Sequence, residues 1–341
     1  MATRSLADRL LPAKLKLEIQ QLLDKHNKKR SDKEGICSLT TQKHRREIIR
    51  LSIAQLWEDG YQLETVTSLK GKHIEHLMGR WDQAGLSASM LHTRLSVLRT
   101  LSKWLRKPEI CKDLGYYLNQ ERTHRSTVAV RNLAWEAKGI DVDAAIRTAS
   151  DMNERFGLML AMQRAFGLRA REVMEFRPLE AVIDDGKRLM IVQGTKGGRP
   201  RMVTVATDRQ RGVLAQVVKL VGAARNARLR WPDCTYQQAR NRYYNFMKRL
   251  GATKAGMGVT GHGLRHAFAQ EMYRRQTGLP TPIEGGKPSG LSRGDHMMAT
   301  MGTSIELGHG RPDVVGSYCG SYGHAQRTVQ TPSRMTYSFI R

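Results

Sequence analysis

The chemically most informative stretch of the sequence is GHGLRHAFAQEMYRR, residues 261–275, in which two histidines flank an arginine. Its apolar side chains recur at helical spacing and predict an amphipathic helix. His262, Arg265 and His266 then lie near the N-terminal end, where free backbone N–H groups and the helix dipole favour an anion. The pattern predicts a phosphate site, and a surface helix that merely carries cations is the alternative.

Four further polar residues interrupt otherwise ordinary patterns, and all are of types that act on phosphate esters. They are Arg169 at the start of a predicted helix, Lys196 in a turn between two predicted strands, His309, and Tyr318 nine residues later. Guanidiniums offer paired N–H donors to phosphate oxygens. An activated phenol can attack phosphorus, and an imidazole can move its proton. A lysine whose pKa is lowered by neighbouring cations can protonate a leaving hydroxyl.

Together these residues predict displacement at a phosphodiester without a metal ion or any other cofactor. The fixed positive charges of the arginines and the lysine would stabilise the transition state. The sequence carries no cluster of carboxylates of the kind that two-metal nucleases require.

The order of these residues along the chain resembles that of the tyrosine recombinase (phage integrase) family. The matching words are GLRAREV around Arg169, TKGGRPR around Lys196, HGLRH at 262–266 and LGHGRPDVVGSY at 307–318. The family order of Arg, Lys, His-x-x-Arg, His and Tyr is complete, and the match covers about residues 141–324. The resemblance implies a site-specific DNA recombinase (integrase) that cleaves and rejoins strands through a covalent 3′-phosphotyrosine, without metal or ATP.

The resemblance also implies a role for each matching residue. Tyr318 would attack the scissile phosphate, and Lys196 would protonate the leaving 5′-hydroxyl. The other expected roles are phosphate binding by Arg169, Arg265 and His309, proton transfer near the phenol by His262, orientation of Arg169 or a neighbour by Glu172, and support of the helix by His266.

Two features depart from the family pattern. The stretch 277–304 is longer than the usual connection and is rich in Gly, Pro and Ser, so it predicts a surface loop that contacts DNA, contacts a neighbouring subunit or is neutral. Tyr322 is a rival nucleophile, because Tyr-x-His is a word often seen at the family's nucleophile. The spacing from His309 favours Tyr318.

The charge balance points to a polyanionic partner. The 341 residues include 57 Lys and Arg against 31 Asp and Glu, a net charge of +26 with a pI near 10.4. Nucleic acid is the usual partner of such a chain, and a ribosomal-type or membrane-surface protein is the alternative.

There is no 18-residue apolar run and no export signal. The expected location is the cytoplasm of a bacterium, phage or mobile-element host, at the nucleoid. The cysteines share no metal-like spacing and predict free thiols: Cys37, Cys111, Cys234 and Cys319.

The predicted fold class is mainly α with a small antiparallel β-sheet: an all-helical core-binding domain followed by an α+β tyrosine-recombinase catalytic domain. The segment AVIDDGKRLMIVQGTKGGRPRMVTVAT alternates between apolar and polar residues and carries two turn signals, which predicts the sheet.

In the first residues, seven leucines and isoleucines from Leu10 to Leu23 are expected on one helix face. The expected divisions are a basic helical extension at 1–37, a helical core-binding domain at 38–120, a linker at 121–140, a catalytic domain at 141–324 and a tail at 325–341.

The expected partner is double-stranded DNA that contains specific recombination sites, with no membrane involved. A homo-oligomer, a tetramer on two DNA sites, and accessory DNA-bending proteins complete the expectation, and the tail would dock on a neighbouring protomer. The sequence leaves open whether the first residues form a DNA-binding arm or part of the helical bundle. Alternatives are a type IB topoisomerase-like enzyme, a catalytically inactive DNA-binding protein on the same scaffold, and a basic RNA-binding protein.

Overall fold

The computed structural model describes residues 5–31, 34–224, 226–287 and 291–322. The chain divides into two compact units, with the division between Arg125 and Ser126, inside the segment expected to be a linker. The expected tail at 325–341 lies outside the described residues.

The first unit is helical throughout its described residues, apart from short connections. Ser38 and Ser87 begin two of its long helices by accepting hydrogen bonds from Thr41 N and Met90 N, as N-cap residues do. The helices are α1 Leu6–Leu10, α2 Ala13–His26, α3 Leu39–Glu58, α4 Gly71–Gln83, α5 Ala88–Trp104, α6 Leu114–Tyr117 and α7 Gln120–Thr123.

The first two helices share one apolar core with the helices that follow them. Leu15, Ile19 and Leu23 are buried in the same cluster as residues of α3, α4 and α5. The expected single apolar face is wrong in part, because Leu10 and Leu17 are 39% and 59% exposed. Pro12 separates α1 from α2, so the leucines do not share one helix axis.

In the second unit, helices and one sheet surround a buried central helix. Asp141 and Asn153 cap successive helices through their side chains. The helices are α8 Val142–Met152, α9 Glu154–Phe166, α10 Ala170–Met174, α11 Pro178–Ala181, α12 Asp208–Val221, α13 Tyr236–Arg249, α14 Gly261–Thr277, α15 Arg293–Glu306 and α16 Gly316–Cys319. Every described residue of α9 from Phe156 to Phe166 is buried, so this helix forms the centre of the unit.

The sheet has three antiparallel strands in the order β1-β2-β3. These strands are β1 Val182–Ile183, β2 Arg188–Ile191 and β3 Arg201–Thr204. Leu189 pairs with Val203 and Ile191 with Arg201, which places Arg201 and Val203 on the buried face. The predicted fold class is confirmed.

The predicted surface loop at 277–304 is wrong for its second half, which forms most of α15. Ser292 begins this helix by accepting a hydrogen bond from Asp295 N at 3.0 Å. The buried side of α15 consists of small and hydroxyl residues, whereas Met297 and Met298 are 54% and 72% exposed. The apolar residues therefore do not mark the buried face, and the helical period is hidden in the sequence.

Among the described residues, none of the helices has the length and apolar character needed to cross a membrane.

Candidate active site

The N-terminal turn of α14 is held against the rest of the unit by two close backbone approaches. Trp135 Nε1 donates a 2.8 Å hydrogen bond to the carbonyl of Thr260, the residue that precedes the helix. A Cβ on Gly263 would lie 2.4 Å from Leu133 O, so only glycine fits there. This packing fixes the direction in which the side chains of the HGLRH word leave the helix.

Arg265 and Tyr318 are in direct contact, although 53 positions separate them along the chain. The guanidinium Nε of Arg265 donates to the phenol oxygen of Tyr318 at 3.2 Å. His309 Nε2 lies 3.2 Å from the same oxygen. Arg265 is fully buried and Tyr318 is 4% exposed. The structure therefore brings two of the predicted site residues to the phenol oxygen of a third.

Arg265 is anchored from behind by two backbone carbonyls. Its guanidinium donates to Gly167 O and, at 2.6 Å, to Leu307 O. Burial is the main cause that lowers its pKa to about 10, which still leaves the group charged at neutral pH. A fixed cation therefore faces the phenol, and it can exchange the phenol contact for an anionic oxygen without reorganisation.

Arg169 enters the site from the start of α10. Its guanidinium donates to Glu172 Oε1 at 2.5 Å, and its backbone N–H donates to Glu172 Oε2 at 2.8 Å. Glu172 is fully buried. Burial alone would raise the pKa of this carboxyl, but the charges of Arg201, Arg169 and Arg265 outweigh that effect and lower it. Glu172 is thus a buried anion that holds the guanidinium of Arg169.

Lys196 lies in the exposed turn Lys196–Gly198 between β2 and β3. Its positive charge acts on His309, since it is among the cations that lower the pKa of that imidazole. Lys196 therefore extends the positive field of the site towards solvent.

All three imidazoles near Tyr318 are held neutral. The ring centroids of His262, His266 and His309 lie 5.7, 4.8 and 5.8 Å from that of Tyr318. Loss of hydration is the main cause that lowers the pKa of each to about 4, and the neighbouring positive charge of Arg265 lowers it further. His262 is the exposed one of the three imidazoles, and the positive charges of Arg265 and Arg169 also lower its pKa. A bound anion would raise these pKa values towards the neutral range.

The rival tyrosine lies in a different cluster. Tyr322 OH is 3.4 Å from Tyr273 OH, which in turn is 2.9 Å from His296 Nδ1. Tyr322 also packs on the ring of His296, with centroids 5.1 Å apart. Within the part of the chain that the structure describes, Tyr322 has no hydrogen bond with a guanidinium.

Two residues of the site were missed by the sequence reasoning. Arg201 is 4% exposed and donates to Glu172 Oε2 at 2.9 Å. Gln270 donates to the backbone carbonyl of Tyr318 at 3.1 Å and so holds α16 against α14. The sequence did carry a signal for Arg201, because a charged residue at a buried position of an alternating strand is unusual. Gln270 carried no comparable signal.

The site has the character of an anion-binding site. In the described ranges, three or more His, Cys, Asp or Glu side chains nowhere come together as a metal site would require. The positive charge comes instead from three guanidiniums around one carboxylate, with Lys196 at the edge. This arrangement can bind a phosphate beside a phenol.

Comparison with known families gives two matches that together span both units. A family model described as integrase matches residues 127–271, and a model described as phage integrase, N-terminal, matches residues 21–110. No match was found among curated proteins.

Solved structures with the same fold include three DNA complexes. The integrase of the transposon Tn1549, in complex with circular intermediate DNA, has a TM-score of 0.55 at 13% identity over 92% of this chain and 99% of that chain. A lambda integrase dimer bound to a COC′ core site has a TM-score of 0.53 at 16% identity over 94% and 79%. The XerH recombinase in a post-cleavage complex with palindromic difH has a TM-score of 0.51 at 14% identity over 86% and 80%. At these identities the likeness concerns the fold.

Fold, family models and the ordered set of site residues agree. The chain belongs to the tyrosine recombinase (phage integrase) family of DNA breaking-and-rejoining enzymes.

Proposed function

We propose that this protein is a site-specific DNA recombinase that uses Tyr318 as its nucleophile. The contact of the Tyr318 phenol with both Arg265 and His309 carries the proposal. A phenol needs a neighbouring cation or base to attack phosphorus, and these two side chains are aimed at its oxygen.

Before DNA binds, Arg265 and His309 hold the phenol. When a scissile phosphate enters, both transfer their contacts to its non-bridging oxygens, and Arg169 adds a second guanidinium. This exchange frees the phenol to attack, and the negative phosphate raises the pKa of the nearby imidazoles. His262, whose ring centroid lies 5.7 Å from that of Tyr318, then accepts the phenolic proton.

The cleavage step conserves atoms and charge. The Tyr318 oxygen forms a bond to phosphorus, the bond from phosphorus to the 5′-oxygen breaks, and Lys196 supplies the proton that this oxygen takes up. The 5′-hydroxyl of a partner strand reverses the same step. The energy of the broken bond is kept in the 3′-phosphotyrosine, so neither ATP nor a metal ion enters.

The substrate we propose is double-stranded DNA with specific recombination sites. The net charge of +26 supports a polyanionic partner. The similar structures named above are DNA complexes of recombinases. Strand exchange requires two sites and four active phenols, so we propose a tetramer on two sites, with accessory DNA-bending proteins and with the segment 325–341 docked on a neighbouring protomer. The cytoplasm, at the nucleoid, is the matching location.

The experiment uses the full chain and a library of nicked duplexes with random sequence. A nick beside the cleavage position lets the short 5′-hydroxyl strand diffuse away, so a covalent complex accumulates. SDS-resistant complexes are recovered and their DNA is sequenced. We expect enrichment of one short motif in the covalent fraction.

Three outcomes distinguish the proposed recombinase from the alternative functions. Absence of any covalent complex would favour the inactive DNA-binding or RNA-binding protein. Covalent complexes without sequence enrichment, together with relaxation of supercoiled plasmid, would favour a type IB topoisomerase-like enzyme. Recombination between two plasmid-borne copies of the enriched motif would support the recombinase.

A further inference from the structure

A buried arginine outside the family set of site residues connects both sides of the site. We propose that Arg201, the first residue of β3, is a positioning residue for strand cleavage that acts through Arg169 and His309. The inference rests on the proposed function, because the reaction it serves is cleavage by Tyr318.

Arg201 makes three contacts with groups that carry negative charge or partial charge. Its guanidinium donates to Glu172 Oε2 at 2.9 Å, to Gly167 O at 3.4 Å and to Glu306 O. The side chain is 2% exposed. It therefore lies below the site, where DNA does not reach it.

Arg201 and Arg265 hold the same two turns. Both donate to the carbonyl of Gly167, which precedes Arg169 by two residues. Arg201 also donates to Glu306 O and Arg265 to Leu307 O, consecutive carbonyls at the end of α15. One guanidinium faces the phenol and the other faces Glu172, so the two turns that present Arg169 and His309 are fixed from both sides.

The shape of Arg201 also determines the residue before His309. Gly308 has a φ of +71°, and a Cβ on it would lie 2.5 Å from Arg201 Cδ. The aliphatic part of Arg201 therefore fills the space beside Gly308, which explains the glycine in the LGH word. Moving Arg201 would release the turn that carries His309.

A lysine cannot replace Arg201 in this role. An ammonium concentrates its donors on one nitrogen, whereas the guanidinium spreads them across a planar fork. The acceptors of Arg201 belong to three separate elements: α10, the Gly167 turn and the end of α15. Lysine would keep the charge opposite Glu172 but would lose the link between the two turns.

The test compares Arg201→Lys and Arg201→Met with Arg188→Met as the matched control. Arg188 lies on β2, is 47% exposed and pairs with Asp184. The substrate is the nicked duplex that wild-type protein traps from the random library. We measure the single-turnover rate of covalent complex formation and, separately, the affinity for intact duplex.

We expect both Arg201 variants to react about 100-fold more slowly, because a misplacement of about 1 Å has that effect, with affinity unchanged. Arg188→Met should match wild type. An unchanged rate in folded Arg201→Lys would overturn the proposal. A loss of affinity with an unchanged rate would also overturn it, since Arg201 would then act on DNA binding.

A double variant tests whether Arg201 acts through Glu172. Effects of residues that act as a unit are strongly non-additive. Arg201→Met combined with Glu172→Gln should therefore react no more slowly than the slower single variant, and multiplied effects would count against the linkage. Should Arg201→Met not fold, the rate and the crystal structure of Arg201→Lys carry the test.

Crystal structures of Arg201→Lys and Arg201→Met without DNA test the positioning role of Arg201 independently of activity. We expect the Arg169 guanidinium and the His309 ring to be displaced. Both side chains in their wild-type places would overturn the inference, even if cleavage by Tyr318 holds. Absence of a covalent complex with wild-type protein would instead refute the proposed function, while the displaced side chains would still support the structural link.

Discussion

The second unit contains two clusters in which a tyrosine meets a histidine, and only four positions separate their C-terminal tyrosines. In one cluster, the phenol of Tyr318 contacts Arg265 and His309. In the other, Tyr322 contacts the phenol of Tyr273, which contacts His296. The residue types are similar, but a fixed guanidinium is aimed at the phenol in the first cluster.

This difference assigns chemistry to one cluster and support to the other. A cation beside the phenol oxygen stabilises the charge that develops as a phosphate is attacked. A second phenol offers only a neutral hydrogen bond, and burial raises the pKa of Tyr273 beyond its usual range. We infer that Tyr318 reacts and that Tyr322 holds its own position after α16 against Tyr273.

The largest expected effect comes from removing one hydroxyl. Tyr318→Phe should reduce covalent complex formation to background, because Tyr318 is the phenol that contacts Arg265 among the described residues. The measurement is the SDS-resistant complex with the nicked duplex. Tyr322→Phe is the matched control, and loss of the complex in that variant alone would exchange the roles of the two clusters.

A smaller but still large effect is expected from the cation. Arg265→Lys should lower the rate of complex formation by about 10²–10³-fold, as the loss of one preorganised donor does. Lysine cannot contact Tyr318, Gly167 O and Leu307 O together. Arg275→Lys, on the exposed last turn of the same helix, should keep the wild-type rate. Equal rates for the two variants would contradict the account.

Acid should weaken the folded protein through the buried imidazoles. The pKa of His266 is lowered from 6.5 to about 4, first by burial, so the unfolded chain takes up its proton at a higher pH than the folded chain does. The stability that neutral His266 contributes is present above pH 6.5 and is lost as the pH falls towards 4. His266→Phe should therefore show a shallower decrease of the thermal midpoint over this interval.

The control for that experiment is His44→Phe, an exposed histidine of the first unit. We expect its midpoint to follow the wild-type slope. A wild-type midpoint that stays constant from pH 6.5 to 4 would show that the fold does not lower the pKa of His266.

The smallest expected effect belongs to the supporting cluster. Tyr322→Phe removes one hydrogen bond with Tyr273, worth about 1 kcal/mol. The thermal midpoint should fall by about 2–4 °C for a unit of this size, and the rate of complex formation should stay at the wild-type value. A slow reaction in a stably folded Tyr322→Phe would extend the active site to the second cluster.

Much of the site was predictable because its members sit in short words with fixed internal spacing. HGLRH and LGHGRPDVVGSY give Arg265, His309 and Tyr318, and the structure brings these three into contact. The role of Arg201 was not predicted because it depends on the pairing of β3 and on two turns that lie 34 and 105 positions away along the chain. The helix at 293–306 was not predicted, because small and hydroxyl residues form its buried face and give the sequence no apolar helical period.

The surface charges of the first unit show a similar limit. Arg45 has the sequence character of a solvated or DNA-facing cation. It is instead 6% exposed and donates to the carbonyl of Lys29 at 2.8 Å. Composition predicts that cations are present, but only tertiary packing decides which of them face solvent.

The central claim is that the phenol held by Arg265 and His309 is the one that joins to DNA. Covalent complexes formed by wild-type protein are digested with nuclease and protease, and the peptide that carries a residual nucleotide is sequenced by mass spectrometry. The account predicts a nucleotide adduct on Tyr318 through its phenol oxygen. An adduct on Tyr322, or on any other residue, would contradict it.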